Sequence, residues 1–320
     1  MIQATTNNMP QDFNSLMEVM EYFTDEKKCL DYLMAQRFDG AIVCPHCAST
    51  KIYCFSDGMR YKCGSCRQQF TAKVGTIFEG SKIPMKKWFV AIYLVTSHKK
   101  GISSHQLAKD IKVTQKTGWF MLHRIRFALG QGSFEVNMGG NDGGIVEVDE
   151  VFIGGLEKNK HASKKSSKLY GNKHAAKTMI VGLLERGGEV RTRVTPIVDH
   201  GTLQGIIHLN VKPGSKIVTD AHKGYVGLRD TFDHISIKHT EGKYVTKGEI
   251  HTNSIEGYWS LFQRSIIGIY HSVSPKHLQA YCDESAYRYN TRKSNEGNRV
   301  QNTISKTNGK RLTYNALISK

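Results

Sequence analysis

The chain has 320 residues, with 45 lysines and arginines against 28 aspartates and glutamates, a formal net charge of +17. Its longest apolar run, Trp88 to Val95, is too short to cross a bilayer, and the opening "MIQATTNNMPQDF" lacks the basic-then-apolar order of a secretory leader. Membrane and secreted classes are set aside. A polyanion becomes the expected partner, because phosphate contacts by Lys and Arg release counterions. The expected setting is the cytoplasm, in association with the nucleoid.

Residues 1–40 read as an N-terminal helical segment, and "TDEKKCLDYL" as a helix that opens near Thr24 with acids in its first turn. Residues 41–80 are short, Gly-punctuated and strand-like. They carry "CPHC" and "CGSC", two CxxC pairs separated by fifteen residues. Each pair can form one knuckle, and two knuckles close a four-thiolate tetrahedron, so Cys44, Cys47, Cys63 and Cys66 predict a zinc ribbon. With no open position the zinc is expected to be structural. The seven cysteines are odd in number; Cys54 is read as core and His46 as a bystander.

Residues 81–136 read as three helices. The last two, in "ISSHQLAKDIKVTQKTGWFMLHRIRFAL", have a helix-turn-helix pattern. Thr114 would cap the second helix. Gln115 and Lys116 would sit at its start, facing base edges, while Trp119, Phe120, Leu122 and Ile125 would be buried and His123, Arg124 and Arg126 would face phosphates. "NMGGNDGG" at 137–144 reads as a linker.

Periodicity then changes. "IVEVDEVFIGG" alternates like a strand; Glu147, Asp149 and Val151 share one face, Val148 and Glu150 the other. "KTMIVGLLERGGEVRTRVTPIV" is a hairpin turning at Gly187-Gly188, "GTLQGIIHLNV" a helix and "KIVTD" a buried strand ending on Asp220. Glu256 starts a helix in "HTNSIEGYWSLFQRS". Strand, hairpin, helix, strand with Asp, helix with Glu is the order of an RNase H-like core. The predicted fold class is thus α/β: a mixed five-stranded sheet with flanking helices over 145–295, preceded by the ribbon and the helix-turn-helix-like region. The stretch 296–320 reads as a polar, loosely ordered tail.

Three acids on such a frame suit hard divalent cations, which bind oxygen ligands and assist in-line phosphoryl displacement. Asp149, Asp220 and Glu256 are the candidate magnesium ligands; Glu147, Glu150 and Glu284 read as satisfied structural acids. The segment 158–174 holds six lysines and no acid, and Lys164 and Lys165 within it are candidate DNA contacts.

The stretches "CPHC…CGSC", "TGWFMLHRIR", "EVDEVFIGG", "VTDAHKGY" and "HTNSIEGYWSLFQRSIIGIYHSVSPKHLQAYCDESAYRYNTR" resemble the DDE-type insertion-sequence transposases with an N-terminal zinc ribbon, the IS-1595 group with its ISXO2-like transposase domain. The likeness spans residues 25 to 293. It implies metal-dependent cleavage at element ends and strand transfer into target DNA by a two-metal DDE mechanism, with Mg²⁺ or Mn²⁺ catalytic and Zn²⁺ structural. It also implies double-stranded DNA as partner, at element ends and target, and a homo-oligomer as the active complex; no membrane partner is expected. Some members carry Asn in place of the third acid, so Asn253 competes with Glu256. Seven residues after Glu256 the family usually has Lys to hold phosphate; Gln263 stands there, with Arg264 beside it. A non-catalytic DNA-binding regulator derived from a transposase is the alternative.

Overall fold

The computed structural model describes residues 13–38, 41–130, 137–140, 144–155, 177–195, 199–221, 223–237 and 250–319. The chain divides into two compact units, Met1–Gly130 with Thr291–Lys320, and Gln131–Asn290.

The first unit opens with α1 (Leu16–Tyr22) and α2 (Glu26–Arg37), capped by the side chains of Ser15 and Asp25. The cap of α2 is thus Asp25, one residue beyond the expected Thr24. Three short strands follow, β1 (Ile52–Cys54), β2 (Arg60–Cys63) and β3 (Gln69–Thr71), paired antiparallel in that order. Helix α3 (Met85–Ser97) supplies the unit's core with Trp88 and Phe89; Phe89 lies 4.5 Å, ring to ring, from Phe23. Then come α4 (Ser104–Asp110), capped by Ser103, and α5 (Gln115–Leu129), capped by Thr114. Gly118 makes their close crossing possible, since a Cβ there would stand 3.0 Å from the Ser104 carbonyl oxygen and 3.2 Å from the Ala108 methyl.

The second unit is built on a five-stranded sheet in the order β6-β5-β4-β7-β8. Its strands are β4 (Ile145–Ile153), β5 (Thr178–Glu185), β6 (Val190–Thr195), β7 (Lys216–Asp220) and β8 (Asp233–Ile237). Strands β4, β5 and β6 run antiparallel to their sequence neighbours, whereas β7 pairs parallel to β4 and β8 parallel to β7. This is the mixed RNase H-like sheet. The hairpin turns at Gly187, whose φ of 75° belongs to the left-handed region open to glycine.

Both faces of the sheet are covered, which explains the long apolar run of β5. Val146, Val148, Val181 and Leu183 pack against Leu203 and Ile207 of α6 (His200–Asn210). On the other face, Val151, Ile180 and Leu184 meet Ile255, Trp259 and Phe262 of α7 (Asn253–Ser265) and Leu278 and Cys282 of α8 (Pro275–Asn290). A π-helical turn, Ile266–Tyr270, joins the two helices. Helix α7 lies directly over Gly182, the residue of β5 paired with Asp149. A Cβ at Gly182 would come within 2.5 Å of the Trp259 ring and 3.1 Å of Ile255 Cδ1. Gly182→Ala is therefore expected to destabilise the protein by about 1–3 kcal/mol, read as a lower urea midpoint with unchanged slope.

The chain then returns to the first unit. The segment read as a loose tail folds instead into α9 (Glu296–Ser305) and α10 (Tyr314–Ile318), capped by Asn295 and Thr313. Val300 and Ile304 are fully buried, and α9 packs on α2 and α3. Few apolar residues suffice there because they recur at helical spacing, i and i+4, on one face.

This return also corrects the reading of α5. Arg124 and Arg126, expected to face phosphates, are buried, as is His123. Arg124 donates to the Ile77 carbonyl at 2.8 Å and the Leu312 carbonyl at 3.0 Å. Lys310 Nζ donates to the Ala128 carbonyl at 2.6 Å. The chain after α9 thus closes over the second half of α5, and the guanidinium serves backbone carbonyls. Trp119 and Phe120, expected inside, are half-buried.

Candidate metal centres

Among the described residues, two groups of side chains could hold a metal ion. The first is Cys44, Cys47, Cys63 and Cys66. Cys63 ends β2, Cys47 and Cys66 stand on turns beside the small sheet, and Cys44 directly precedes the first of those turns. Sulfur–sulfur distances are 3.7 Å for Cys44–Cys66 and 3.6 Å for Cys47–Cys63. Four Zn–S bonds of about 2.3 Å in a tetrahedron require edges of about 3.8 Å, so the sulfurs fit the ion. The Cys66 N–H, directed at the Cys63 sulfur, is the chief cause that holds this thiol down at about 6. A thiolate at neutral pH is the form zinc binds. Cys54, expected in the core, is exposed and outside the cluster.

The second group is Asp149, Glu150 and Asp220, whose carboxylate oxygens lie within 4.8 Å of one another. Two of the three were expected together. The parallel register pairs Val148 with Thr219, so β7 ends on Asp220 level with Asp149. Neighbouring parallel strands are under 5 Å apart, and the two aspartates stand side by side where β7 stops and β4 runs on with β5.

Glu150 is the addition. The period-two rule places it on the opposite face, and its surroundings agree, since the buried Tyr225 of the α6-side core lies beside it. Its oxygen nonetheless meets the aspartates at the strand end. Burial, then the charge of Asp220, pushes the Glu150 carboxyl up to about 7, against the pull of the Tyr225 hydroxyl; Asp149 adds to the rise. The only sequence signal for this was a second acid directly beside the catalytic candidate, which periodicity argued away.

A pH dependence follows. An unfolded glutamate titrates near 4.5, so the folded metal-free protein binds the extra proton, and stability is greatest below that value and is lost as pH rises towards about 7. Glu150→Gln should flatten the fall in melting temperature between pH 5 and 7.5 in the presence of EDTA, measured by calorimetry.

Glu256 lies outside the gathered set. It is exposed in the first turn of α7, and its Oε1 accepts from the Thr252 hydroxyl at 2.8 Å. Asn253, the first residue of α7, is also exposed, and its N–H points at His251 Nδ1 at 3.4 Å. Gln263 and Arg264 are exposed near the end of the same helix, with Arg264 donating to the Ser260 hydroxyl at 2.6 Å. In the first unit Gln115 and Lys116 are exposed at the start of α5; Gln115 donates to Ser104 Oγ at 2.9 Å, and the Lys116 ammonium lies 5.0 Å from the Tyr314 ring centre. Lys164 and Lys165 fall outside the described residues. Among the described residues no helix is long and apolar enough to cross a membrane.

Comparison with known proteins places these features in a family. Residues 142–290 match the ISXO2-like transposase domain, and residues 24–69 match the transposase zinc-ribbon domain. An uncharacterised protein of the transposable element ISH50 of Halobacterium salinarum is 25% identical over 260 residues, 78% of this chain and 85% of that protein. An uncharacterised transposase-like protein of Haemophilus influenzae is 29% identical over 103 residues, 32% of this chain and 81% of that protein.

Proposed function

The chain belongs to the zinc-ribbon, ISXO2-like group of DDE-type transposases, and we propose from its acid cluster that it cleaves DNA at the ends of an insertion sequence and joins them to target DNA. The observation that carries this reading is the convergence of Asp149, Glu150 and Asp220 where β7 ends beside the middle of β4. Hard carboxylate oxygens at this spacing suit Mg²⁺ or Mn²⁺. When bound, two such cations would polarise the scissile phosphate and stabilise the entering and leaving oxygens.

The residues of the chain do the rest. Asp149 and Asp220 would hold the cations, and the α7 turn with Asn253 and Glu256 would supply the remaining ligand. Glu150 would add a further carboxylate oxygen beside them. Hydrolysis frees a 3′-hydroxyl at the element end. That hydroxyl then attacks a target phosphate, so one phosphodiester forms as one breaks and no energy source is needed. Gln115 and Lys116 would read the element ends from α5, and Gln263 and Arg264 would hold backbone phosphate beside the acids. A multimer that pairs two ends is the expected working form.

The regulator reading draws on Gln263, an uncharged amide where the family usually carries Lys. One experiment separates the readings: radiolabelled duplexes carrying the DNA that borders the gene, incubated with protein and Mn²⁺. The expected result is nicking at the element end by the wild type, a loss on the order of a hundredfold for Glu256→Gln, and near-normal rates for Asn253→Ala. Loss in Asn253→Ala with Glu256→Gln tolerated would reassign the third ligand. Binding without nicking, restored by Gln263→Lys, would identify a decayed enzyme acting as a regulator.

A further inference from the structure

One acid on the Asp149 face of β4 takes no part in the gathered cluster. Glu147 is fully buried, two residues before Asp149 and about 6.6 Å from it along the strand. Among the described residues its partners come from two places, Arg186 and the segment 251–255. Its Oε1 accepts from Arg186 Nε at 2.7 Å and from Ser254 Oγ at 3.0 Å. Its Oε2 accepts from the backbone N–H of Ile255 at 2.9 Å. Arg186 extends the path: its Nη2 donates to the His251 carbonyl at 2.7 Å and stands 3.2 Å from His251 Nδ1.

These bonds converge on 251–255, the residues that lead into Glu256. Helix α7 needs them, because its N-cap residue, Thr252, makes no side-chain cap bond to the backbone; its hydroxyl is directed to Glu256 instead. The first N–H groups of a helix have no partner inside it. Here the third-position N–H of α7 is served by a carboxylate from the neighbouring strand, and that negative charge also suits the positive end of the helix dipole. The acid that caps α7 and the acid proposed as first metal ligand are thus two residues apart on one rigid strand.

We propose that Glu147, held by Arg186, is the positioning residue for the third metal ligand: it caps α7 from β4 and so fixes the turn bearing Asn253 and Glu256 beside Asp149. This rests on the active-site reading above. Glu147 touches no reacting atom and acts only through α7. By sequence alone Glu147 is an ordinary structural acid. Its burial and its remote cap give it this separate task.

The test uses Fe²⁺ as the probe cation, with ascorbate and peroxide, on the full-length protein. Radicals formed at the ion cut nearby backbone, so the fragments report which segments lie at the metal without any need for turnover. Wild type is expected to be cut near Asp149–Glu150, near Asp220 and at 252–256. Glu147→Gln would leave Arg186 without its carboxylate and lower the melting temperature. Glu147→Gln/Arg186→Met removes both charges and should recover most of that loss. The double variant is expected to keep the first two cuts and lose the third at least fivefold. Retention of all three cuts in the double variant would overturn the proposal, leaving Glu147 a purely structural acid. Should the double variant fail to fold, Ser254→Ala removes a single hydrogen bond from an uncharged donor; its 252–256 cut should fall about twofold, and an unchanged cut overturns the proposal equally. Absence of wild-type cuts at 149–150 and 220 would sink the active-site reading itself. Cuts at those two sites and none at 252–256 would sink only the role of Glu147.

Discussion

Asp149→Asn and Asp220→Asn are each expected to reduce end nicking by about 10³-fold or more while raising the melting temperature of the metal-free protein. The two effects have one cause. Three carboxylates within 4.8 Å repel one another; at an effective dielectric near 20, a pair of unit charges at that distance interacts by about 3.5 kcal/mol. The protein relieves part of this by letting Glu150 hold its proton up to about 7. An amide in place of either aspartate removes one charge and the repulsion with it. In a domain of this size, each kcal/mol gained raises the melting temperature by about 2–4 °C. The same amide loses the oxygen that would bind a divalent ion. Wild type in saturating Mn²⁺ should gain stability in proportion to ln(1 + [Mn²⁺]/Kd), and the variants should show little of that gain. A variant that simply misfolds would lose activity and melt lower in EDTA. Activity lost together with a lower metal-free melting temperature would count against a repelling metal centre.

The parts of the molecule legible in the sequence are those whose signal is local. The alternation of "IVEVDEVFIGG", the Gly187-Gly188 turn, the Thr114 cap and the CxxC spacing all act within a few residues. Each therefore survives as a pattern. Arg124 was misread because an arginine on a basic helix in a basic protein looks like a phosphate contact. What buries it is backbone from Ile77 and Leu312, the latter far along the chain and invisible to any window. The helix α9 was missed for the same reason: its face is apolar at too few positions to stand out, and it forms against α2 and α3. Glu150 shows a different limit. Strand periodicity correctly assigns the face from which a side chain leaves. It does not say where a long side chain ends at the point where the neighbouring strand stops. There the polar ends of Asp149, Glu150 and Asp220 can meet around the sheet edge. Positions that break the simple alternation rule tend to be functional ones.

Removal of zinc is expected to unfold the ribbon while leaving the acid centre responsive to metal. The three strands of the ribbon are only three or four residues long, and sheets of that size are marginal without a hydrophobic face or a staple. Their own packing is thin: a stacked Tyr61–Phe70 pair with ring centres 5.5 Å apart, and Ile52. Four-thiolate zinc sites contribute on the order of 10 kcal/mol to folding in small domains, far more than this packing can supply. Cys63→Ser or a strong chelator should therefore expose residues 44–71 to protease. It should also lower affinity for element-end DNA at least tenfold if the ribbon takes part in binding. Cys47 is exposed, so a chelator can reach the site without prior unfolding. Acidification should act like the chelator, because protons compete for the thiolates that hold the ion. Cys54→Ser, exposed and outside the cluster, is the matched control and should bind one zinc per chain as wild type does. The second unit, Gln131–Asn290, supplies the decisive comparison, because it contains Asp149, Glu150 and Asp220. Zinc-stripped protein should still show its Mn²⁺-dependent rise in melting temperature. Cys63→Ser protein that retains one tightly held zinc and full protease resistance would show that the four sulfurs are not the ion's ligands.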